Sequence, residues 1–463
     1  MAPGRAAASQ AVPRLVPPFR TPPERAPPLF SYLTALRTNA LVGWPRRAYE
    51  EPVLRRGLLG RTSFTLNDPE AIRRVLVDNQ ANYARTSGSV RILRPILGDG
   101  LLISEGPAWR HQRRALAPAF TPRMIDGLVP LIDDAIESSM RELDEAAARG
   151  PVALFPALHR LALEIAGRSM FSVAMDRHGP ELRAFIAEYS ERLGRPHLLD
   201  ILMPPTWAAP LDWPRARFRR RWTPFLDRII AARATEAVPR PARDLLDLLM
   251  DARNPETGAA FSDAELRDQV ATMILAGHET TAVALFWAIY LLALAPELQE
   301  QVAREAGGAD LTDPVGCAQD GRLPLTRAVI DETLRLYPPA FVIVRRALQA
   351  DRVAGLDVAA GDIVIVSPWV LHRHRTLWAD PDAFDPGRFL PGAPRVARYA
   401  YLPFGVGPRV CIGAHFALTE AVLALARLVA RFRITLADAR PVLPCAVVTT
   451  QPDHAPDFRL APR

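Results

Sequence analysis

The chain has 463 residues, 49% of them hydrophobic, and a formal net charge of +7. All 57 basic residues are arginine, which excludes Schiff-base enzymes, pyridoxal-phosphate enzymes and P-loop NTPases, because these need a lysine. Three scattered cysteines are too few for a disulfide framework, so we expect a reducing compartment. The positive charge can attract an acidic redox protein, an anionic membrane or nucleic acid.

Proline, alanine and arginine dominate residues 1–28, which predicts an extended, mobile arm. No linker-like stretch divides the rest of the chain. Residues 29–463 are therefore predicted to form one large domain, mainly α with a minor β part. The longest apolar run, residues 282–295, is too short to span a bilayer. We expect no transmembrane anchor and a cytoplasmic location.

The first predicted strand lies at residues 64–66, and a helix follows it. Residues 85–102 are Gly-rich and predicted to be irregular, and loops of this kind often carry binding residues. The next helix places Trp109 and Arg113 four residues apart, on one face. On their own these two residues fit a core tryptophan beside a solvated arginine.

Further helical patterns cover residues 122–150, 157–171, 181–193 and 213–236. The last pattern contains residues 215–222, in which arginines are mixed with aromatic residues. The solvated face of a helix accounts for this composition. Contact with nucleic acid or with an anionic membrane surface also fits it, so these alternatives stay open.

A long helix is predicted to begin at the capping box of Ser262 and Glu265 and to end before Pro296. At that length it measures about 50 Å and can cross the whole domain. Near its middle comes the run Ala-Gly-His-Glu-Thr-Thr, residues 276–281. Glycine, acid and hydroxyl groups are unfavourable inside a buried helix. Such a conflict indicates a functional site, or a kink whose polar groups bond to backbone carbonyls.

Another predicted helix carries Glu332 and Arg335, three residues apart and facing the same way. Alone, this spacing is typical of a surface ion pair. Alternating patterns at residues 342–344, 352–358 and 363–367 predict strands. His372 and His374 follow the last of them. Because no acidic or cysteine partner stands nearby, hydrogen-bonding histidines are favoured over a metal site.

The most informative stretch is a turn rich in glycine and proline that holds Cys411 directly before a helical pattern at residues 415–431. A helix N-terminus favours a negatively charged sulfur. Arg409 can pair with a carboxylate, and Gly413 lets a flat group approach. These features suit a thiolate bound to haem iron, which favours O–O cleavage. The alternative is a buried, inert cysteine.

The spacing Phe-x-x-Gly-x-Arg-x-Cys-x-Gly from Phe404 to Gly413 resembles the haem-binding signature of the cytochrome P-450 superfamily. The order of the other motifs is similar to that family over residues 30–460. The resemblance is to soluble, bacterial-type members without a fused reductase. It implies a mainly α fold with a minor β part, in which the haem lies between a long distal helix and a proximal helix.

The resemblance also implies roles for particular residues. Glu279 and Thr280 would be catalytic: Thr280 by hydrogen bonding to the bound oxygen, Glu279 by passing protons inward, while Gly277 leaves room for O₂. Glu332 and Arg335 would form a buried network with Arg388. Cys411 would be the metal ligand. The predicted cofactor-binding residues are Trp109, Arg113, Arg346, Phe404, Arg409, Cys411 and Gly413.

By the same resemblance, the protein is a monooxygenase that inserts one oxygen atom from O₂ into an apolar small-molecule substrate, by hydroxylation or epoxidation. Its cofactor would be heme b, the iron protoporphyrin IX. Electrons would come indirectly from NAD(P)H, through an acidic ferredoxin or flavodoxin and its reductase. We expect a monomer with no nucleic-acid partner. Peripheral membrane contact through residues 215–221 remains an alternative.

Three other functions are considered. A haem-based gas sensor would need neither Glu279 nor Thr280. A peroxide-driven haem-thiolate enzyme typically lacks this pair of acid and alcohol, so the pair favours O₂. A nucleic-acid-binding protein would depend on residues 215–221 alone.

Overall fold

The structure, a computed structural model, describes residues 15–463 except 59, 172–174, 198, 201–202, 204–205, 235–243 and 320. Residues 1–14, the outer part of the predicted arm, lie outside the described residues. Leu15 forms an isolated backbone bridge with Phe384, and Pro17 is buried. The Pro23 carbonyl accepts a hydrogen bond from the Arg46 N–H. Among the described residues, contacts with the domain are therefore already present at residues 15–23, before the boundary predicted at residue 29.

Helices dominate the fold. The α-helices in the described residues are Leu29–Thr38 (α1), Pro69–Arg73 (α2), Ser87–Leu97 (α3), Gly106–Leu116 (α4), Pro122–Asp126 (α5), Val129–Arg149 (α6), Leu154–Phe171 (α7), Met175–Glu188 (α8), Asp212–Ala234 (α9), Leu245–Asp251 (α10), Asp263–Leu294 (α11), Pro296–Gly308 (α12), Pro314–Gln319 (α13), Pro324–Leu336 (α14), Pro368–Leu371 (α15) and Ala414–Arg431 (α16).

The strands form a minor part, as the sequence predicts. They are Val53–Leu58 (β1), Arg61–Leu66 (β2), Tyr83–Ala84 (β3), Val152–Ala153 (β4), Ile343–Ala347 (β5), Asp351–Val353 (β6), Leu356–Val358 (β7), Ile363–Val366 (β8), Phe432–Leu436 (β9), Pro444–Ala446 (β10), Thr450–Pro452 (β11) and Asp457–Pro462 (β12). The largest sheet has the order β1-β2-β8-β5-β3, and only the β2–β8 pair in it is parallel. A three-stranded sheet, β4-β12-β9, and the hairpins β6-β7 and β10-β11 complete the set.

Helix α11 is the centre of the fold. Its capping box forms as predicted, with the Ser262 hydroxyl accepting from the Glu265 N–H and the Glu265 carboxylate accepting from the Ser262 N–H. The helix packs against α7, α14 and α16. It is long and apolar enough to cross a membrane, yet 78% of its most apolar 18-residue window is buried inside the domain. This burial is that of a core helix.

Three predictions of local structure need correction. The run at residues 352–358, predicted as a strand, forms the antiparallel hairpin of β6 and β7. Residues 87–97, predicted to be irregular, form helix α3, which the Thr86 hydroxyl caps by accepting from the Ser89 N–H. The predicted helix at residues 122–150 is divided into α5 and α6, with Gly127 and Leu128 between them. Gly88 and the internal Pro95 give α3 little sequence signal, because glycine and proline usually indicate loops.

Candidate active site

The cysteine lies in a loop whose path depends on one glycine. Gly407 has φ of +74°, and a Cβ built there would lie 2.3 Å from the Leu76 carbonyl oxygen. No side chain fits at this close approach. The Cys411 N–H donates to the Phe404 carbonyl, 2.9 Å away, and closes the loop before α16. Phe404 thus contributes its backbone as well as a half-buried side chain.

The Cys411 side chain is solvent-accessible, although protein surrounds it closely enough that burial raises its pKa. A hydrogen bond from the Gly413 N–H and the charge of Arg113 act in the opposite direction. Arg113 is itself half-buried, and burial lowers its pKa while the Cys411 sulfur raises it. Arg113, one member of the predicted pair on α4, is therefore near the cysteine, where a cation and a backbone donor favour a thiolate.

Arg409 connects the cysteine loop to α4. Its guanidinium lies over the buried Trp109 ring, 4.4 Å from the centroid, and donates to the Ser104 carbonyl at 3.1 Å. It also forms an ion pair with Glu105. Trp109 and Arg409, predicted separately, are thus in direct contact. Glu105 was not predicted, because a lone acid before a helix carries no motif.

Two further arginines share this electrostatic environment. Burial lowers the pKa of Arg85 to about 9 and that of Arg345 to about 10; the charge of Arg409 adds to both effects, and Glu105 opposes them. Arg345 also lines a cavity with Arg409 and loop residues. Successive strand residues point to opposite faces of a sheet, so Arg346 points away from this cluster. The contacts favour Arg345 rather than the predicted Arg346 for carboxylate binding.

The residues fit heme b. Three arginine cations, Arg85, Arg345 and Arg409, face a single carboxylate, Glu105, and the two propionates of the cofactor would neutralise the remaining charge. Cys411 supplies the soft donor that iron accepts in haem-thiolate proteins. A Cβ at Gly413 would meet no atom closer than Phe120 Cε1 at 3.9 Å, so the start of α16 is open to a flat group.

On the distal side, Ala276 is exposed and Thr280, one turn later, is half-buried. The Thr280 hydroxyl donates to the Ala276 carbonyl at 2.8 Å. Gly277 faces elsewhere: a Cβ there would lie 2.7 Å from Met170 Cε on α7. Gly277 therefore serves close packing of α11 on α7, and the prediction that it leaves room for O₂ is not supported. Ala276 occupies the open face instead.

The Glu279 side chain is buried, and its hydrogen-bond partners differ from that of Thr280. Its carboxylate oxygen Oε1 accepts from the Thr449 hydroxyl at 2.7 Å and from Gln451 Nε2 at 3.0 Å. Residues one apart in a helix diverge by about 100°, and Asp263–Leu294 is one unbroken α-helix. The acid and the alcohol therefore do not touch directly. The bonds to backbone carbonyls that the alternative interpretation expects are present at Thr280 and at His278, whose Nδ1 lies 3.0 Å from the Ile274 carbonyl.

One polar contact of α11 was missed by sequence reasoning. The Thr281 hydroxyl donates to Glu420 of α16, and Glu420 Oε2 is buried without a hydrogen-bond partner. Burial raises the pKa of Glu420 to about 8. A glutamate inside the apolar pattern of α16 was the available signal, since an acid there must find a partner or lose its charge.

The Glu332–Arg335 pair is fully buried, as the resemblance implies, with bidentate contacts of 2.7 Å. Arg388 Nε lies 3.4 Å from Glu332, and the Asp385 N–H donates to the same carboxylate at 2.8 Å. Arg335 also donates to three backbone carbonyls, at His372, Pro381 and Ala383. The surface-pair alternative is excluded, and the network fixes the segment that leads to the cysteine loop.

The histidines that follow β8 form hydrogen bonds. His372 Nε2 accepts from the Leu402 N–H at 2.8 Å, and burial lowers the pKa of His372 to about 3. His374 contacts the Glu51 carbonyl through Nε2 at 3.1 Å. Within the described part of the chain, no group of three histidine, cysteine or acidic residues could hold a metal ion. The metal-site alternative therefore has no support there.

Residues 215–222 do not form a basic and aromatic binding face. Arg215 is buried and makes a bidentate ion pair with Asp200, at 2.7 and 2.9 Å. Phe218 and Trp222 are buried in an aromatic cluster with Phe185. These rings therefore cannot stack on bases, although Arg217, Arg220 and Arg221 of the same segment are exposed.

Comparison with known proteins agrees with this geometry. The family model for Cytochrome P450 matches residues 22–453. Cyclooctatin synthase from Streptomyces melanosporofaciens is 35% identical over 79% of each chain, and cyclooctat-9-en-7-ol 5-monooxygenase from the same organism is 32% identical over 79% of each. The crystal structure of the cytochrome P450DA heme domain superposes with a TM-score of 0.81 at 25% identity, covering 97% of this chain and 99% of that one.

A cysteine loop at the start of one helix, and a long buried helix with an open face at Ala276 and Thr280, are the features expected of a haem-thiolate oxidoreductase. The chain belongs to the cytochrome P450 family. It is accordingly a monooxygenase whose cofactor is haem with a cysteine thiolate ligand, and its fold is the P450 fold.

Proposed function

We propose that the protein inserts one oxygen atom from O₂ into an apolar small-molecule substrate, by hydroxylation or epoxidation, with electrons from separate redox partners. The observation that carries this proposal is the placement of Thr280 on the open face of α11 with a buried acid, Glu279, beside it. A gas sensor has no use for a proton donor and a hydroxyl at this point of the site.

Cys411 is the proposed axial ligand. The proposed cofactor-binding set is Trp109, Arg113, Phe404, Arg409 and Gly413, to which the contacts add Arg345 in place of Arg346. When bound, heme b with a thiolate ligand supplies the activation of O₂. The arginines neutralise its carboxylates, and Gly413 and Arg113 stabilise the charge on the sulfur.

Thr280 and Glu279 are proposed to handle protons. The Thr280 hydroxyl donates to a backbone carbonyl, so its oxygen lone pairs remain free to accept a proton donor from the open side. The Glu279 carboxyl group is 1 residue away, and hydrogen bonds from Thr449 and Gln451 orient it. Because the two side chains diverge, a water molecule would have to join them.

The substrate is proposed to be largely hydrocarbon. The open face of α11 presents the methyl group of Ala276, and the neighbouring Leu275 is half-buried. One relative is named for the 5-oxygenation of cyclooctat-9-en-7-ol, a compound with one alkene and one hydroxyl in its name. A cyclic, mostly apolar substrate with few polar groups agrees with both observations.

Electrons are proposed to come from NAD(P)H through a reductase and an acidic ferredoxin or flavodoxin, and the protein is proposed to act as a cytoplasmic monomer. Exposed Arg110 on α4 supports the acidic partner, since complementary charge steers association. Exposed Trp207 and Trp213, at 64% and 68% exposure, are the candidates for peripheral membrane contact, in place of the buried aromatics of residues 215–222.

The test is turnover under ¹⁸O₂ with a ferredoxin, its reductase and NADPH, using cyclic terpene alcohols as substrates. We expect one labelled oxygen atom per product molecule. Binding of O₂ without any product across a broad apolar panel, with an electron supply verified by reduction of the haem, would favour the sensor. Product formed only with hydrogen peroxide, without label from ¹⁸O₂, would favour a peroxide-driven enzyme.

A further inference from the structure

Glu105 occupies the N-cap position of α4, yet its carboxylate makes no capping hydrogen bond. The N-cap normally satisfies the free N–H groups of the first turn. Here the carboxylate turns to the arginines instead. Its Oε1 accepts from the Arg85 N–H at 3.0 Å, and Oε2 pairs with Arg409. The side chain is 37% exposed, whereas Arg409 is 11% exposed.

Through these contacts Glu105 joins three separate segments of the chain. Arg85 follows strand β3, Trp109 belongs to α4, and Arg409 belongs to the cysteine loop. The ion pair with Glu105 and the ring of Trp109 hold the Arg409 guanidinium from two sides. Arg409 is two residues from Cys411, so the position of Glu105 influences the loop that carries the iron ligand.

The charge of Arg113 faces the Cys411 sulfur, and the charges of the rest of the cluster balance only when Glu105 is counted. Arg85, Arg345 and Arg409 contribute three positive charges, and Glu105 contributes one negative charge. The two propionates of heme b bring the number of carboxylates to three. Without Glu105, one half-buried guanidinium would remain unmatched beside the cofactor, and an unmatched charge in a poorly solvated site is unfavourable.

We propose that Glu105 stays on Arg409 when haem is bound and acts as the protein's own third carboxylate in the propionate site, where it positions Arg409 and lowers the reduction potential of the haem. This inference rests on the proposed haem binding. A negative charge close to the iron stabilises the oxidised form, which carries more positive charge. Groups that act through first ligands in this way are known to tune metal sites.

The experiment compares Glu105→Gln, Glu105→Asp and Glu256→Gln in haem-loaded protein. Glu256 pairs with Arg114 of the same helix at the surface, so its substitution removes an equivalent charge outside the cluster. The readouts are the midpoint potential, from spectroelectrochemical titration, and the rate of haem loss to excess apomyoglobin. Neither depends on turnover.

Glu105→Gln is expected to shift the midpoint potential to a more positive value and to speed haem loss about tenfold. Glu105→Asp keeps the charge on a shorter side chain, so we expect a near-normal potential with faster haem loss. Glu256→Gln should match the wild type in both measurements.

The proposal would be overturned if Glu105→Gln kept the wild-type potential and haem-loss rate, because Glu105 would then release Arg409 to the propionates. If Glu105→Gln takes up no haem, the test is made with Glu105→Asp instead. A rate of haem loss from Glu105→Asp equal to that of the wild type would contradict the proposal. A wild type that lacks the red-shifted CO absorption of a haem thiolate would overturn the haem assignment itself. A wild type with that absorption and an unchanged Glu105→Gln would overturn only the role of Glu105.

Discussion

The two sides of the active site hold their polar groups in different ways. On the cysteine side, charged side chains from distant segments pair with each other, as in Arg409–Glu105 and Glu332–Arg335. On the distal side, Thr280 makes a neutral hydrogen bond within its own helix, and Glu279 is held by an alcohol and an amide. Charge-assisted bonds are roughly twice as strong as neutral ones, so the bond of Thr280 is weaker than the ion pairs on the cysteine side.

This difference separates two tasks. The cysteine side must present one sulfur in one geometry, and ion pairs across segments fix that geometry. The distal side must move protons, and a hydroxyl that is bonded only to a carbonyl of its own helix can exchange partners at low cost. Substitutions on the first side should therefore reduce assembly of the site, and substitutions on the second should alter turnover.

The largest effect is expected for Glu332→Ala. Removing one member of a buried ion pair leaves the other uncompensated and costs roughly 3–5 kcal/mol. We expect little haem-loaded protein, measured as the ratio of Soret to 280 nm absorbance after purification. The control is Glu70→Ala: Glu70 and Arg73 have the same spacing but are 76% and 47% exposed. A fully loaded, stable Glu332→Ala protein would show that the network is dispensable.

On the distal side, Thr280→Ala should bind haem and substrate but release hydrogen peroxide in place of most of the product. The reason is that proton delivery loses its hydroxyl while the apolar pocket is unchanged. The measurement is the ratio of product to NADPH consumed, with peroxide assayed in parallel. Thr272→Ala is the matched control, because Thr272 makes the same bond, to the Asp268 carbonyl at 2.8 Å.

If Thr280→Ala keeps the wild-type ratio of product to NADPH consumed, Thr280 only packs in the helix and has no role in proton delivery. Glu279→Ala should differ from it: the whole cycle should slow, since the supply of protons fails. If Glu279→Ala keeps the wild-type ratio of product to NADPH consumed but turns over more slowly, the two residues have the separate roles described here. An unchanged rate of turnover in Glu279→Ala would contradict this division.

A smaller effect is expected from Glu420, which links the two sides through Thr281. Its pKa is raised to about 8 from the ordinary value of 4.5. Between these pH values the folded protein binds a proton that the unfolded chain releases, so the free energy of unfolding falls as the pH rises. Glu420→Gln should remove the contribution of Glu420 to this fall in the free energy of unfolding. The measurement is the difference between the urea midpoints at pH 5.5 and pH 8. Exposed Glu297→Gln serves as the control; equal slopes in all three proteins would refute the effect.

The smallest effect concerns the redox partner. Arg110→Ala should raise the KM for an acidic ferredoxin several-fold at low salt and less at high salt, because salt screens exposed charges. Exposed Arg220→Ala, on α9, is the matched control. Electron transfer that does not depend on ionic strength would remove the argument for an acidic partner.

The sequence predicts the parts of the site that depend on short-range spacing. The cysteine loop, the capping box and the Glu332–Arg335 pair each span ten residues or fewer. The structure confirms the capping box and the Glu332–Arg335 pair. The partners of Arg409 and Thr281 lie 304 and 139 residues away, and no local pattern indicates them. Glu105 and Glu420 were missed for this reason.

Other parts of the site depend on the phase of a strand or helix. Whether Arg345 or Arg346 binds a carboxylate depends on the face to which each residue of β5 points, and a shift of one residue reverses that face; the assignment to Arg345 is a proposal. The composition of residues 215–222 fits a solvated or ligand-binding face, yet Phe218 and Trp222 are buried in a cluster with Phe185 of α8 and Phe225 of α9. Burial of a helix face depends on its neighbours, which the sequence of that helix does not contain.

The central claim is that Cys411 provides the thiolate ligand. The most direct measurement is the absorption spectrum of the reduced, CO-bound protein for the wild type, Cys411→Ser and Cys445→Ser, the last a control at another free cysteine. The wild type and Cys445→Ser should show the red-shifted band of a haem thiolate, and Cys411→Ser should not. A Cys411→Ser protein that keeps this band would contradict the assignment.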